Sequence, residues 1–97
     1  MKIEKRIHNK ELEIIVEGRL DASTSPELDK VLSNISGIDS LIINLKGLEY
    51  MSSSGLRVLL ACHKRMPDDK KMIIINANED IKDIFDVTGF SSIFNIA

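Results

Sequence analysis

Two short apolar runs, residues 41–45 and 72–75, constrain the fold of this chain more than any other feature. Each run is rich in isoleucine and too short for a stable helix, which is typical of a strand buried on both faces. Each run is followed by a segment whose apolar residues have helical spacing. Strands that alternate with helices in this way predict a largely parallel sheet with right-handed crossovers.

Three segments have the spacing of amphipathic helices. Their boundaries carry the residue types that begin or end helices: Ser, Thr, Asn or Pro at the start, and Gly or Pro just past the end. These boundary residues are Thr24 or Ser25, Pro26 and Gly37 for the first helix, Ser53 or Ser54 and Pro67 for the second, and Asn78 and Gly89 for the third.

The first part of the chain predicts an antiparallel hairpin. In residues 11–17 the apolar Leu12, Ile14 and Val16 alternate with three glutamates and Ile15, a period of two, and residues 8–10 are typical of a turn. Gly18 is expected to end the second strand, and Gly47 the third. With a short last strand near residues 93–96, the predicted fold is α/β: a mixed, mostly parallel sheet with an N-terminal antiparallel hairpin and helices packed against it.

Composition and charge are those of one globular domain spanning residues 1–97. Hydrophobic residues make up 43% of the chain and charged residues 29%, which excludes a disordered or collagen-like protein. Thirteen basic residues against fifteen acidic ones give a net charge of −2. This balance has no basic footprint for nucleic acid.

Targeting and metal-binding signals are not found. No apolar run approaches the roughly 20 residues that a membrane span needs, and the first six residues lack the apolar segment of a signal peptide. Cys62 is the single cysteine, so neither a disulfide framework nor a cysteine zinc cluster is predicted. A cytoplasmic protein with no metal, no cofactor and no membrane association is expected.

Three consecutive serines, Ser52 to Ser54, and then Gly55 open the second predicted helix. A helix start presents unpaired N–H groups and a partial positive charge, so it accepts a serine cap or a phosphate, and position alone favours the cap. A cap needs only one serine. Capping therefore accounts for one of the three, and the role of the other two stays open.

An enzyme with a serine nucleophile is not expected, because the nucleophile needs a base within hydrogen-bond reach. His63 lies ten residues after Ser53 on the same predicted helix, about 15 Å along its axis. His8 falls in the hairpin turn. The Gly-x-Ser-x-Gly elbow, the phosphate-binding loop of nucleotide hydrolases and the dinucleotide fingerprint do not occur.

Asp21 lies just after the second predicted strand and has two interpretations. Its carboxylate can simply accept hydrogen bonds from its own backbone in a turn. Alternatively, it lies beside the start of the second helix, because both positions follow the same ends of parallel strands, where ligand and partner sites are concentrated. The sequence leaves both open.

Three stretches of the chain, residues 17–24, 45–56 and 85–90, resemble STAS domains, the fold shared by bacterial anti-sigma factor antagonists and the cytosolic tails of sulfate transporters. The resemblance covers nearly the whole chain in the family's order and spacing. In the antagonist branch the helix start usually has Asp-Ser-[Ser/Thr]-Gly-Leu. The first serine of that motif is phosphorylated by a partner that is both an anti-sigma factor and a serine kinase.

That resemblance implies that Ser53 is the phosphorylation site and that a serine phosphatase resets it. It further implies a monomeric, non-catalytic protein whose partner binds the loop and helix start, at Asp21, Ala22, Ser23, Thr24, Ser52, Ser54 and Gly55. Ser52 stands where the family usually has Asp, which leaves the choice of acceptor among the three serines open. The alternative is a stand-alone STAS subunit or scaffold of another complex, such as a transporter, without phosphorylation.

Overall fold

The computed structural model describes all 97 residues, as a five-stranded sheet with three α-helices. The strands are β1 (Lys2–His8), β2 (Glu11–Leu20), β3 (Ser40–Met51), β4 (Lys71–Ile75) and β5 (Asn95–Ile96). The helices are α1 (Ser25–Ser33), α2 (Ser53–Arg65) and α3 (Glu79–Thr88), and one 3₁₀ turn covers Phe90–Ser92.

The strands lie in sequence order across the sheet, with β1 antiparallel to β2 and all other pairs parallel. The predicted mixed sheet with an N-terminal hairpin is therefore confirmed. Because every parallel crossover is expected to be right-handed and each moves one strand further in the same direction, all three helices fall on one face.

The core lies between that face and the helices, and it contains 21 buried residues. Burial alternates along the central strands, so that Leu41, Ile43 and Leu45 of β3 are buried while Ile42 and Asn44 are half-exposed. The prediction that these strands are buried on both faces is wrong. A run of isoleucines does not reveal how many faces the helices cover, since that depends on the direction of the crossovers.

On the open face of the sheet, polar side chains lie among half-exposed isoleucines and form hydrogen bonds with one another. Asn44 lies at their centre: its Nδ2 donates to Glu13 Oε2 at 2.9 Å, and its Oδ1 accepts from Asn76 Nδ2 at 3.1 Å. These bonds link β2, β3 and the end of β4. They give this face order without a covering layer of helices.

Gly18 and Gly47 do not end their strands as predicted, because both lie inside β2 and β3. The pairing of these strands shifts register around Gly18, which has a φ of +98°. A Cβ on Gly47 would lie 2.6 Å from Cγ of Glu17, so the strands approach closely there. Glycine here permits an irregular pairing rather than a turn, as at other β-bulges.

The last strand is shorter than predicted. Residues 90–92 form a 3₁₀ turn, and pairing with β4 is limited to Asn95 and Ile96. Phe94 is buried between the rings of Phe85 and Phe90, with edge-to-face centroid distances of 5.7 and 5.4 Å. Burying this ring against α3 takes precedence over extending the strand.

The other predicted helix ends are largely confirmed. Asn78 caps α3, because its Oδ1 accepts from Ile81 N at 2.8 Å, and Gly89 ends that helix with a φ of +83°. α2 ends before Pro67. α1 ends earlier than predicted, at Ser33, and Gly37 lies in the connection to β3.

Replacing Asn78 with Ala is expected to lower the free energy of unfolding by about 1 kcal/mol, the usual cost of a lost cap. Asn78→Asp keeps the acceptor for Ile81 N but loses the 3.2 Å bond that Asn78 Nδ2 donates to Leu48 O. It should retain most of the stability. Urea unfolding measures both, with Lys82→Ala, an exposed substitution on α3, as a control. Equal losses in both Asn78 variants would contradict a capping role.

Candidate functional site

The site lies where β2 and β3 end together. Leu20 pairs with Met51 as the last residues of the two strands, and both are buried. The next residue, Ser52, donates its N–H to Leu20 O at 2.8 Å. This bond joins the loop that begins at Asp21 to the start of α2, so the structure brings together the two predicted halves of the site.

Asp21 organises the loop that follows β2. Its Oδ1 accepts from Ser23 N at 3.0 Å, Ser23 Oγ at 2.7 Å and Thr24 N at 3.2 Å. The interpretation of Asp21 as a turn residue is therefore confirmed, and its position beside α2 is confirmed as well. These bonds, with that of Ser23 Oγ the largest contribution, lower the pKa of the Asp21 carboxyl.

The capping of α1 by Thr24 or Ser25 is not found. Thr24 Oγ1 turns back and donates to Arg19 O at 2.8 Å, and Ser25 Oγ donates to Asp21 O at 2.6 Å. Thr24 makes no side-chain cap bond. The Thr24 hydroxyl therefore ties the loop to β2, and the Ser25 hydroxyl bonds within the loop, because the Asp21 carboxylate already accepts from the N–H groups of Ser23 and Thr24.

The three serines at the start of α2 differ in exposure. Ser52 is the N-cap residue, but its side chain makes no cap bond, and its buried Oγ has no hydrogen-bond partner. Ser53, the first helical residue, is exposed, and Ser54 is half-buried. The expected serine cap is therefore wrong, although Ser52 does occupy the cap position.

The first turn of α2 contains no acidic residue. In this it differs from α1, which has Glu27 in its first turn, and from α3, which has Glu79 and Asp80. Carboxylates in a first turn offset the partial positive charge of a helix start. The partial positive charge at the start of α2, next to Ser53, is therefore not offset by a carboxylate of the same helix.

Gly55 holds the start of α2 against the ends of the strands. A Cβ on this residue would lie 2.7 Å from Cγ and Cδ2 of Leu20 and 3.1 Å from Cγ of Met51. Both neighbours are fully packed in the core. Any larger side chain at Gly55 would push the helix away from Leu20, and with it the serines away from the Asp21 loop.

Two exposed residues beside the site were not identified from the sequence. The Arg19 guanidinium lies over the Tyr50 ring, 4.4 Å from its centroid, and the two residues are paired across β2 and β3. Tyr and Arg are the side chains that most often anchor protein interfaces. The sequence gives no signal for this pair, because the register shift before Arg19 decides which residue of β3 it faces.

Neither histidine is near the serines. His63 lies about 15 Å along α2 from Ser53 and packs edge-to-face on Phe94 at 5.8 Å. His8 pairs with Glu11 at the opposite end of β2. No group of three or more His, Cys, Asp or Glu side chains could hold a metal ion. No helix is long and apolar enough to cross a membrane.

Replacing Ser23 with Ala is expected to raise the pKa of the Asp21 carboxyl toward its ordinary value, because the largest stabilising bond to the carboxylate is lost. A lowered folded-state pKa stabilises the fold above the unfolded-state pKa, and this contribution disappears as the pH falls through the folded-state value. The stability gap between wild type and variant should therefore close at low pH.

Carboxyl carbon shifts recorded by NMR across an acid titration measure this pKa, and the distant Ser33→Ala provides the control. An Asp21 titration that is unchanged in Ser23→Ala would contradict the role given to the Ser23 hydroxyl.

Comparison with known proteins agrees with this geometry. A family model described as "STAS domain" matches residues 2–97. The chain is 30% identical to the anti-sigma-B factor antagonist of Staphylococcus aureus, over 99% of this chain and 92% of that protein.

Two solved structures share the fold. An anti-sigma factor antagonist from Mycobacterium paratuberculosis has a TM-score of 0.92 at 20% identity, covering 98% of this chain and 83% of the other. The Bacillus cell fate determinant SpoIIAA in its phosphorylated form has a TM-score of 0.77 at 18% identity, covering 99% of this chain and 91% of the other.

Proposed function

This chain belongs to the STAS domain family, and on that premise we propose that it is an anti-sigma factor antagonist switched by phosphorylation of Ser53. The observation that carries the proposal is the exposed Ser53 hydroxyl at the start of a helix with no acidic residue in its first turn. In this account the unphosphorylated protein binds an anti-sigma factor that is also a serine kinase. Phosphorylation releases that partner, and a serine phosphatase restores binding.

Exposure favours Ser53 over its neighbours as the acceptor. A kinase must bring the hydroxyl oxygen in line with the γ-phosphate of its nucleotide, so the oxygen has to be accessible. Ser52 Oγ is buried and Ser54 is half-buried, whereas Ser53 is exposed.

The remaining residues of the proposed interface surround Ser53. They are Asp21, Ala22, Ser23 and Thr24 in the loop and Ser52, Ser54 and Gly55 at the start of α2. Their hydrogen bonds hold this surface in one shape, so that the partner meets a preformed site. Preformed sites lose little conformational entropy on binding.

The charge of the phosphate accounts for the switch. A phosphoserine adds about −1.5 to −2 charges and three acceptor oxygens. The start of α2 tolerates this anion within the antagonist itself, because the helix presents free N–H groups there. A partner that docks closely over Ser53 has to desolvate the new charge next to that of Asp21. A coupling of 1–3 kcal/mol, or about 5- to 150-fold in affinity, follows from such a local change.

Two relatives support the proposal from different directions. The Staphylococcus aureus protein, which matches over nearly its full length, is named an anti-sigma-B factor antagonist. The Bacillus neighbour shows that a domain of this fold exists in a phosphorylated form.

A STAS subunit that is never phosphorylated is the second candidate. Ser52 favours it, because this residue stands where the antagonist family usually has an aspartate and supplies no charge beside Ser53. Such a subunit would bind its complex without regard to the state of Ser53.

We expect Ser53→Ala to bind the anti-sigma factor kinase like wild type and to stay bound when ATP is added. Ser53→Asp should bind 5- to 150-fold more weakly, since it places a permanent negative charge at the centre of the interface. Titration calorimetry with the purified partner measures both affinities. Ser92→Asp, an exposed serine outside the site, is the matched charge control.

Equal binding by wild type and both Ser53 variants would remove the switch from this residue. Release of Ser53→Ala on addition of ATP would transfer the acceptor to another hydroxyl. Binding only to a membrane transporter, unaffected by either variant, would favour the second candidate.

A further inference from the structure

A cavity of about 500 Å³ lies at the opposite end of α2 from Ser53, between the C-terminal ends of α1 and α2. Its rim includes Lys10, Asp39 and Lys70, which lie immediately before β2, β3 and β4. From Ser53 to Arg65 the rise of the helix is about 18 Å. The cavity is therefore separate from the proposed phosphorylation site and has no part in it.

Part of the cavity lining is apolar, and serines, Gly37 and Pro67 contribute to the rest beside the charged residues. The apolar residues are Leu32, Ile35, Ile38, Cys62 and Met66, of which Leu32 and Cys62 are buried and the others are packed at the edge of the core. Burial raises the pKa of the Cys62 thiol, so this group is uncharged at neutral pH. The volume falls within the range of small-molecule sites, which are usually apolar with a few polar groups at defined positions.

The rim of the cavity is positively charged, in a chain whose net charge is −2. Lys70 Nζ is paired with Asp39 Oδ1 at 2.7 Å. Lys10 and Arg65 form no ion pair within 4.0 Å. The pKa of the Asp39 carboxyl is lowered mainly by its bond to Lys70 and, to a smaller extent, by the charge of Lys10. Because Asp39 is already paired with Lys70, the rim keeps an excess of positive charge.

Arg65 also lies in the last turn of α2, where a cation offsets the negative end of the helix. That role accounts for one of the two cations. It does not account for Lys10, which comes from the turn between β1 and β2, a different part of the chain.

We propose that this cavity binds an aliphatic carboxylate of medium chain length, with its hydrocarbon chain against Leu32, Ile38 and Met66 and its carboxylate between Arg65 and Lys10. An arginine binds a carboxylate through two parallel hydrogen bonds, and the planar fork of the guanidinium orients the head group. The apolar lining contributes affinity in proportion to the number of methylenes it removes from water.

The test is a titration of the isotope-labelled protein with decanoate below its micelle-forming concentration, followed by backbone amide NMR. Saturable shifts are expected in residues 32–39 and 62–70. Octanoate, two methylenes shorter, should bind about tenfold more weakly. Decanol, which lacks the charge, should bind at least fivefold more weakly than decanoate, and decylammonium should bind more weakly still.

Two variants separate the charge from the fold. Arg65→Gln and Lys10→Gln should each weaken decanoate binding at least fivefold and leave decanol binding unchanged. Lys64→Gln, one residue earlier on α2 and outside the cavity, is the matched control and should bind like wild type.

Equal affinity for decanoate, decanol and decylammonium would overturn the proposal, as would equal losses in Arg65→Gln and Lys64→Gln. Shifts confined to the open face of the sheet would overturn it too, since they would indicate nonspecific adsorption. None of these outcomes bears on Ser53, because the titration involves neither phosphate nor a partner protein.

Discussion

The pairing of Leu20 with Met51 determines where the proposed partner-binding surface lies. β2 and β3 stay paired beyond the irregular register at Gly18 and Gly47, and both strands end at this pair of residues. The backbone bond from Ser52 to Leu20 O then joins the two following segments at 2.8 Å. The loop of Asp21 and the first turn of α2 therefore form one surface, and the absence of a side chain at Gly55 lets the helix pack directly on Leu20.

This arrangement places a small, ordered surface, with the Asp21 carboxylate in its loop, beside a helix start that has no acidic residue in its first turn. A phosphate on Ser53 would therefore have different energetic effects on the domain and on a bound partner. In the proposed switch, the domain itself accommodates a phosphate on Ser53, because the free N–H groups at the start of α2 face it, whereas a partner packed against this surface would have to desolvate the added charge. The proposed switch would require no refolding of the domain, since the difference in affinity would arise where the partner covers the modified hydroxyl.

The sequence predicts the element order, the hairpin, most helix ends and the closeness of Asp21 to the three serines, because these depend on local periodicity and on the rules for parallel crossovers. It fails where the outcome depends on tertiary geometry. Gly18 and Gly47 are typical of strand ends, but in the structure they permit a bulge inside β2 and β3. The isoleucine runs of β3 and β4 are typical of strands buried on both faces, but helices cover only one face of the sheet. Neither the unpartnered hydroxyl of Ser52 nor the contact between Arg19 and Tyr50 has a sequence signature, since both depend on the exact register of β2 and β3.

Mass-spectrometric mapping of phosphate on the protein isolated from its own cells, with and without phosphatase treatment, decides whether Ser53 is the modified residue. We expect a phosphatase-sensitive phosphate on Ser53, the exposed serine at the start of α2. A phosphate on Ser52 or Ser54 would contradict the argument from exposure. A chain that carries no phosphate under any growth condition would contradict the switch itself.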